Sequence, residues 1–338
     1  MFAIWLISVY YSNLRTENMG KHRIQFMLIT IGLSLVFTSP VVYADTWHLE
    51  KGQGWMPLSD SNDGGYMQAV ANIKLLINDG KAGKAKKAAE KLKKDFPNIA
   101  KADFDAFMKA ELLYAKGKYQ KAVEAYNKFL DKFPQSDFCD AALDREFAIA
   151  TAYLSGQKIK VLGIFKMSGF ETGEKIMDKI SDRAGDEPIA KRALLTVVEY
   201  LEKKDMFNEA YDKWSQISSR WPTGQIGKDA LLGMARCKHA LYKGPQYNAT
   251  NLISAKSYYE SFQQRYPEDA NQLDIGEKIP QINEQLAYKQ FRIGCYYQRT
   301  GSVEAANLYY NMVVANWPES TAAKMAREQI SQEPDIAK

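Results

Sequence analysis

Histidine and cysteine are scarce, three of each in 338 residues. His22, His48 and His239 form no HxxxH or HExxH pair, so the histidines give no metal site. Cys139, Cys237 and Cys295 form no CxxC. Each lies in an apolar helical stretch, which suits a small buried thiol and leaves open one bridge between distant residues. There is no GxSxG, and GKAGKAKK at Gly80 lacks the spacing of a phosphate-binding loop and follows a helix instead of a strand. The carboxylates are spread as i,i+4 partners on helix surfaces, so no catalytic group, metal or cofactor is expected. A dominant charge is missing too: 45 basic against 40 acidic residues leave +5, which gives a nucleic-acid partner no electrostatic support.

Long hydrophobic runs are absent except near the amino terminus. There Lys21 and Arg23 precede an apolar run from Ile24 to Phe37, and Val42-Tyr43-Ala44 offers small residues for cleavage before Asp45. Residues 1–44 read as a secretory signal peptide, with Met19 as an alternative start. Gly32 and Pro40 interrupt the segment, which makes a permanent membrane anchor the weaker reading. No cysteine ends the run, so a lipid attachment site of the bacterial lipoprotein kind is missing there. Residues 45–65 are rich in Gly, Ser and Asp and read as an extended lead-in, packing at Trp47 and Trp55.

Beyond residue 65 a spacing recurs. From Ala122, Tyr126 lies four on, Phe129 seven, Phe133 eleven and Pro134 twelve, while Gly117 lies five before. The same frame starts at Ala85, Ala210, Ala255 and Ala306, ending at Pro97, Pro222, Pro267 and Pro318. Offsets of four, seven and eleven share one helix face, and proline twelve on stops the helix because it lacks an N–H and clashes with the preceding turn. Upstream of each frame lies a second amphipathic stretch, closed by glycine at 80, 117 and 301, where positive φ reverses the chain. In the clearest copies a small residue, Ala110 or Gly294, stands twelve before the frame alanine, where two helices would cross closely. Helix, tight turn, helix, proline at a period near 34 is the tetratricopeptide pattern. The expected fold is all-α: a right-handed superhelical tetratricopeptide-repeat solenoid of about six helical hairpins, in which neighbours bury each other's apolar faces. Hairpins 1–2 occupy residues 66–134, hairpins 3–4 residues 135–222, and hairpins 5–6 with a capping helix residues 223–338. The third hairpin is a degenerate copy with the insertion KIKVLGIFKMSG. No segment shows sustained apolar/polar alternation with β-branched enrichment, so the mature chain is expected to be almost wholly helical.

The first helices of such hairpins line the concave side. Phe104, Phe107, Glu111 and Tyr114 form a stripe there, apart from the packing stripe of Ala110 and Leu113. Its equivalents are Met67, Val70, Lys74 and Ile77 in the first hairpin and Tyr288, Phe291, Cys295 and Gln298 in the last. Aromatic groups and one lysine on a concave face point to a groove for extended polypeptide. The segment GKAGKAKKAAEKLKKDFP carries seven lysines against Glu90 and Asp95, either a solvated outer face or a contact for anionic lipid or an acidic partner.

The strings FPQSDFCDAAL, GIFKMSGFETGEKI, KGPQYNATNLISAKSYYESFQQRYP and YKQFRIGCYYQRTGSVEAANLYYNMVVANWPES, together with the leader and the repeats, resemble the BamD family (YfiO-like, formerly ComL) over Tyr66 to Ile330. The resemblance implies a non-catalytic scaffold on the periplasmic face of the outer membrane. Its amino-terminal repeats would meet unfolded β-barrel precursors, and its carboxy-terminal repeats, with Tyr288, Phe291 and Gln298, would dock a BamA-like barrel-assembly protein. The chain departs from the family in its missing lipid-bearing cysteine, which leaves peripheral membrane association, and in six hairpins where five are usual. A periplasmic adaptor for cell-wall synthesis or division, similar to the YbgF/CpoB family, is the alternative; an amino-terminal coiled coil would favour it, and residues 45–65 show none. Amino-terminal sequencing of the protein from the cell envelope is expected to start at or near Asp45; a chain retaining residues 24–43 would mark an anchor instead.

Overall fold

The computed structural model describes residues 47–50, 54–57, 63–97, 101–161 and 165–332, and two units are distinguished, residues 1–68 and 69–338. The signal-peptide reading lies outside the described residues. In the first unit, strands β1 (Trp47–Glu50) and β2 (Gly54–Pro57) pair antiparallel, with Trp47 opposite Pro57, within the segment expected as an extended lead-in. The expected packing at Trp47 and Trp55 concerns side chains outside those described.

Helix α1 (Asp63–Asn78) runs from the first unit into the second and is followed by α2 (Ala82–Asp95). Next come the pairs α3 (Ala102–Ala115) with α4 (Tyr119–Lys132), and α5 (Cys139–Leu154) with α6 (Phe170–Ala184). After them stand α7 (Pro188–Lys203) with α8 (Phe207–Arg220), and α9 (Gly224–Ala240) with α10 (Thr250–Arg265). A short α11 (Pro267–Gln272) precedes the last pair, α12 (Ile275–Arg299) and α13 (Val303–Asn316), and α14 (Thr321–Gln332) closes the described chain.

The repeated frame explains these boundaries. All five frame alanines, Ala85, Ala122, Ala210, Ala255 and Ala306, are fully buried, and so are the residues seven on: Leu92, Phe129, Ile217, Phe262 and Val313. At position eleven Phe96, Phe133, Trp221, Tyr266 and Trp317 each leave the helix at φ between −129° and −138°. Each still donates its backbone N–H to the carbonyl four residues back, so the last turn is closed before the proline. The residue before proline is driven out of the α region by the ring, and an aromatic there covers the helix end. Between paired helices Gly117 sits at φ +66°, donates to the Tyr114 carbonyl at 2.8 Å and is followed by Lys118 donating to Leu113 at 3.0 Å, a Schellman-type turn. In the fourth hairpin Asp205 holds the same position at φ +56°, a conformation that aspartate tolerates better than most residues.

The third hairpin keeps the frame with other residue types. Gly173, Met177, Ile180, Ala184 and Gly185 occupy the frame positions, so glycine replaces both the alanine and the final proline. A β-carbon on Gly173 would lie 2.8 Å from the Ala150 carbonyl, which leaves room only for hydrogen. The insertion, in a chain expected to be almost wholly helical, forms an antiparallel pair, β3 (Lys158–Val161) and β4 (Phe165–Ser168), with Ile159 opposite Met167. Four-residue runs are too short to signal a strand in the sequence. Here the turn after α5 brings them together, and Ile159 packs on the core.

Buried side chains form one continuous seam from Ala110 to Ile282 and a second from Ala287 to Ala326, and α12 contributes to both. Among the described residues no helix is long and apolar enough to cross a membrane.

At Gly294 two effects oppose each other. Helix propensity favours alanine by about 1 kcal/mol. Against that, a β-carbon would lie 2.6 Å from the buried Tyr310 ring, and overpacking typically costs about 1–3 kcal/mol. Steric conflict is expected to win: Gly294→Ala should lower stability in denaturant titration, with hydrogen exchange showing the loss in α12–α14. A stabilised variant would contradict the close crossing.

Candidate functional site

The first helices of three successive hairpins come together around a cleft of about 330 Å³. Val70, Ile73 and Lys74 line it from α1, Phe104, Phe107, Met108 and Glu111 from α3, and Phe138, Ala141, Asp144, Arg145 and Ala148 from the start of α5 onward. The Ser136 hydroxyl donates to Asp103 at 2.7 Å, tying the α4–α5 link to the head of α3. That tie places Phe138 against α3, its ring stacked on Phe107 at 5.1 Å and tilted to Phe104 at 5.8 Å.

Of the stripe expected to form the amino-terminal groove, Val70, Lys74, Phe104, Phe107 and Glu111 line this one cleft, whereas Ile77 is buried and does not line it. Tyr114 is half-buried beside it, with the Arg145 guanidinium 4.6 Å from its ring. Met67 is exposed and belongs to the first unit. The stripe is less separate from the packing than the sequence suggests. Phe104 and Glu111 are only 5% and 4% exposed, and Phe107 also meets Phe129 and Tyr126. The sequence reading missed the third wall: Phe138, Asp144 and Arg145 lie in the degenerate hairpin. Their signal is periodic, since Arg145 stands 34 residues after Glu111, one repeat on.

In the last hairpin, Tyr288 is exposed. Phe291 is buried against Tyr310 at 5.5 Å, and the Gln298 side chain accepts the Tyr310 hydroxyl at 2.8 Å. The faces of Phe291 and Gln298 are therefore engaged inside the hairpin. Exposed neighbours are Tyr296, with Arg292 and Arg299 on the same side of α12, around a cleft that also includes the Pro245–Gln246 loop.

Two carboxylates are buried near the first cleft, with different surroundings. Glu111 accepts two hydrogen bonds from Arg145, at 2.9 and 3.0 Å, and one from the Tyr126 hydroxyl. Burial, with Glu111 next in weight, pushes the Tyr126 hydroxyl well above its ordinary range. A second such group recurs at Glu202, which takes Trp214 Nε1 at 2.7 Å and Arg236 at 3.1 Å. Cys237 lies against it, 3.7 Å away, and burial followed by that carboxylate pushes its thiol up to about 12. All three cysteines are unbridged.

Glu146, 2% exposed, has the Asn127 amide at 2.8 Å, while Arg183 pairs with Asp131 at 2.7 Å. Burial raises its carboxyl to about 7, against the partly offsetting charges of Arg183 and Lys179. The cleft is lined by apolar and aromatic side chains, the Glu111–Arg145 ion pair, Asp144, which pairs with Arg192, and Lys74; among the described residues no His/Cys/Asp/Glu group could hold a metal.

Residues 245–333 match the model of the family described as YfiO, outer membrane lipoprotein, and residues 106–136 match a tetratricopeptide-repeat model. The resemblance read from the sequence over Tyr66 to Ile330 is thus matched in its carboxy-terminal third. Among solved structures, the carboxy-terminal part of a TPR repeat-containing protein from Cytophaga hutchinsonii is 15% identical, covering 80% of this chain and 90% of its own, with a TM-score of 0.35. PilW, a type IV pilus biogenesis factor, is 16% identical over 78% of this chain and 98% of its own, with a TM-score of 0.27. The human IFIT1 dimer is 12% identical over 76% and 70%, with a TM-score of 0.21. No curated protein matches the chain.

The raised carboxyl of Glu146 sets a pH dependence. Below about pH 4.5 the residue is protonated folded or unfolded and imposes no penalty. As pH rises through about 7 the folded chain must ionise a buried group, and up to about 2–3 kcal/mol is lost. Glu146→Gln is expected to exceed the wild type in stability at pH 8 and to approach it at pH 5, read by denaturant unfolding; parallel pH profiles would show that Glu146 is ionised without cost. The frame and the turns give the chain the fold of a helical-hairpin solenoid of the tetratricopeptide kind; residues 106–136 are similar to the tetratricopeptide-repeat model and residues 245–333 to the family described as YfiO, outer membrane lipoprotein.

Proposed function

We propose that this protein is a non-catalytic scaffold of the bacterial cell envelope that takes part in outer-membrane β-barrel assembly. It is exported, works on the periplasmic face of the outer membrane and associates with it peripherally. The cleft of the first three hairpins holds extended segments of unfolded outer-membrane protein precursors. The carboxy-terminal repeats, through the exposed Tyr288 side of α12, dock a BamA-like assembly protein.

The observation that carries the reading is the composition of the cleft. Its walls are apolar and aromatic, Glu111 and Arg145 neutralise each other, and Asp144 is paired with Arg192 at 2.7 Å. Lys74 is the lining cation that has no ion-pair partner among the described residues. Such a site accepts a large apolar side chain and places one positive charge beside it for a carboxylate. The YfiO match at residues 245–333 supports the envelope setting.

Titration of the full chain with a labelled peptide copying the carboxy-terminal strand of a barrel protein tests it. Lys74→Ala is expected to weaken binding by up to about fivefold, as exposed ion pairs are worth about 0.2–1 kcal/mol, to flatten its salt dependence and to leave Tm unchanged. Phe107→Ala, whose ring also supports Phe129 and Phe138, should lower Tm as well as affinity. Absence of binding at millimolar peptide, or indifference to Lys74→Ala, would remove the cleft from the function.

A further inference from the structure

The charge of the chain is unevenly placed. Residues 69–134 hold 15 lysines, no arginine and 8 acidic residues, an excess of seven positive charges, whereas residues 135–332 hold 25 basic and 25 acidic residues. Most of this excess stands on second helices. On α2 the buried residues are Ala82, Ala85, Ala89 and Leu92. Lys84, Lys87, Lys91 and Lys94, spaced 3-4-3, form one stripe on the opposite side, and all four are exposed. The acids nearby are engaged elsewhere: Asp79 pairs with Lys81, Glu90 with Lys86 and Asp105 with Lys93; Asp95 follows the stripe at its end. None of the four stripe lysines makes an ion pair among the described residues. One repeat on, Lys121 and Lys128 of α4 occupy the frame positions of Lys84 and Lys91, again exposed. In the frames of α8, α10 and α13 the corresponding residues are Glu209 and Gln216, Ser254 and Ser261, Ala305 and Met312.

We infer that the outer face of α2 and α4 docks on an anionic lipid surface through Lys84, Lys87, Lys91, Lys94, Lys121 and Lys128. The use of lysine alone selects this occupant. Arginine gives the bidentate, fixed geometry that protein and nucleic-acid interfaces favour, and lysine is depleted from protein interfaces. A row of flexible, strongly hydrated ammonium groups instead suits a laterally mobile layer of anionic headgroups, to which each lysine adds attraction without fixed geometry. The stripe faces away from the buried side of its helix, so docking leaves the hairpin packing intact. The inference gives residues to the peripheral association proposed above and rests on that envelope setting.

Sedimentation of the full chain with phosphatidylcholine vesicles, with and without 30% phosphatidylglycerol, tests it; the vesicle assay is independent of the peptide titration, so the two proposals fail separately. Wild type is expected to bind the anionic vesicles, weakly or not at all the neutral ones, and less as salt rises. The quadruple variant Lys84→Gln, Lys87→Gln, Lys91→Gln, Lys94→Gln should lose at least about tenfold in affinity, with Tm and helicity unchanged because glutamine matches lysine in helix propensity. Lys121→Gln with Lys128→Gln should lose a smaller share, and the control pair Lys243→Gln, Lys324→Gln should lose none. Equal binding to both vesicle types, or equal loss in the control, would overturn the inference. Lysine-dependent capture of polyglutamate without binding to anionic vesicles would overturn it in favour of an acidic protein.

Discussion

The close crossing of two helices at an alanine is the constraint on which the solenoid rests. Five second helices place an alanine with no exposed surface at the same frame position, and each buries the residues four and seven on beside it; in four of the five the residue four on is aromatic. A larger side chain at the crossing would separate the helices and uncover these residues together. The aromatic before the proline and the positive-φ turn before the helix then fix where the helix begins and ends. Spacing, turn and stop act as one unit, which explains why so few residue types recur at so many equivalent positions.

A polar device is laid over this apolar one at the same period. Glu111 holds the tip of Tyr126 and meets Arg145, 34 residues on; Glu202 holds the tip of Trp214 and meets Arg236, again 34 residues on. Each carboxylate thereby joins its own second helix to the following hairpin. The Glu111–Arg145 pair is buried and bidentate, so it is satisfied in one register, and breaking one side of such a pair typically costs about 3–5 kcal/mol; the Glu202–Arg236 pair is partly exposed and holds its register less tightly. Stacking order is thus fixed by charge as well as by shape.

Much of this was legible because it is periodic. The offsets from Ala122 gave the helix ends, the turns and the buried face directly. The third hairpin was harder for a physical reason: Gly173 and Gly185 perform the jobs of alanine and proline, so the positions persist while the familiar residue types do not. The two short strands gave no pattern, as pairing between eight residues is decided by the turn that joins them. At the cleft, the sequence supplied the α1 and α3 walls. It placed Glu111 and Phe104 on a free face, although their burial comes from Arg145, Tyr126 and Phe138, all distant in the chain. Phe291 and Gln298 share a periodic face in the sequence, and only the fold reveals that Tyr310 engages them.

The irregular pieces all lie at seams. The β3–β4 pair sits in the turn between α5 and α6, the loop around Tyr247 in the turn between α9 and α10, and α11 between two hairpins. At each of these places the chain can lengthen without displacing a crossing alanine. The architecture is thereby divided into a conserved-geometry interior and a set of permissive joints, where new binding elements can be acquired by insertion during evolution while the older framework continues to fold.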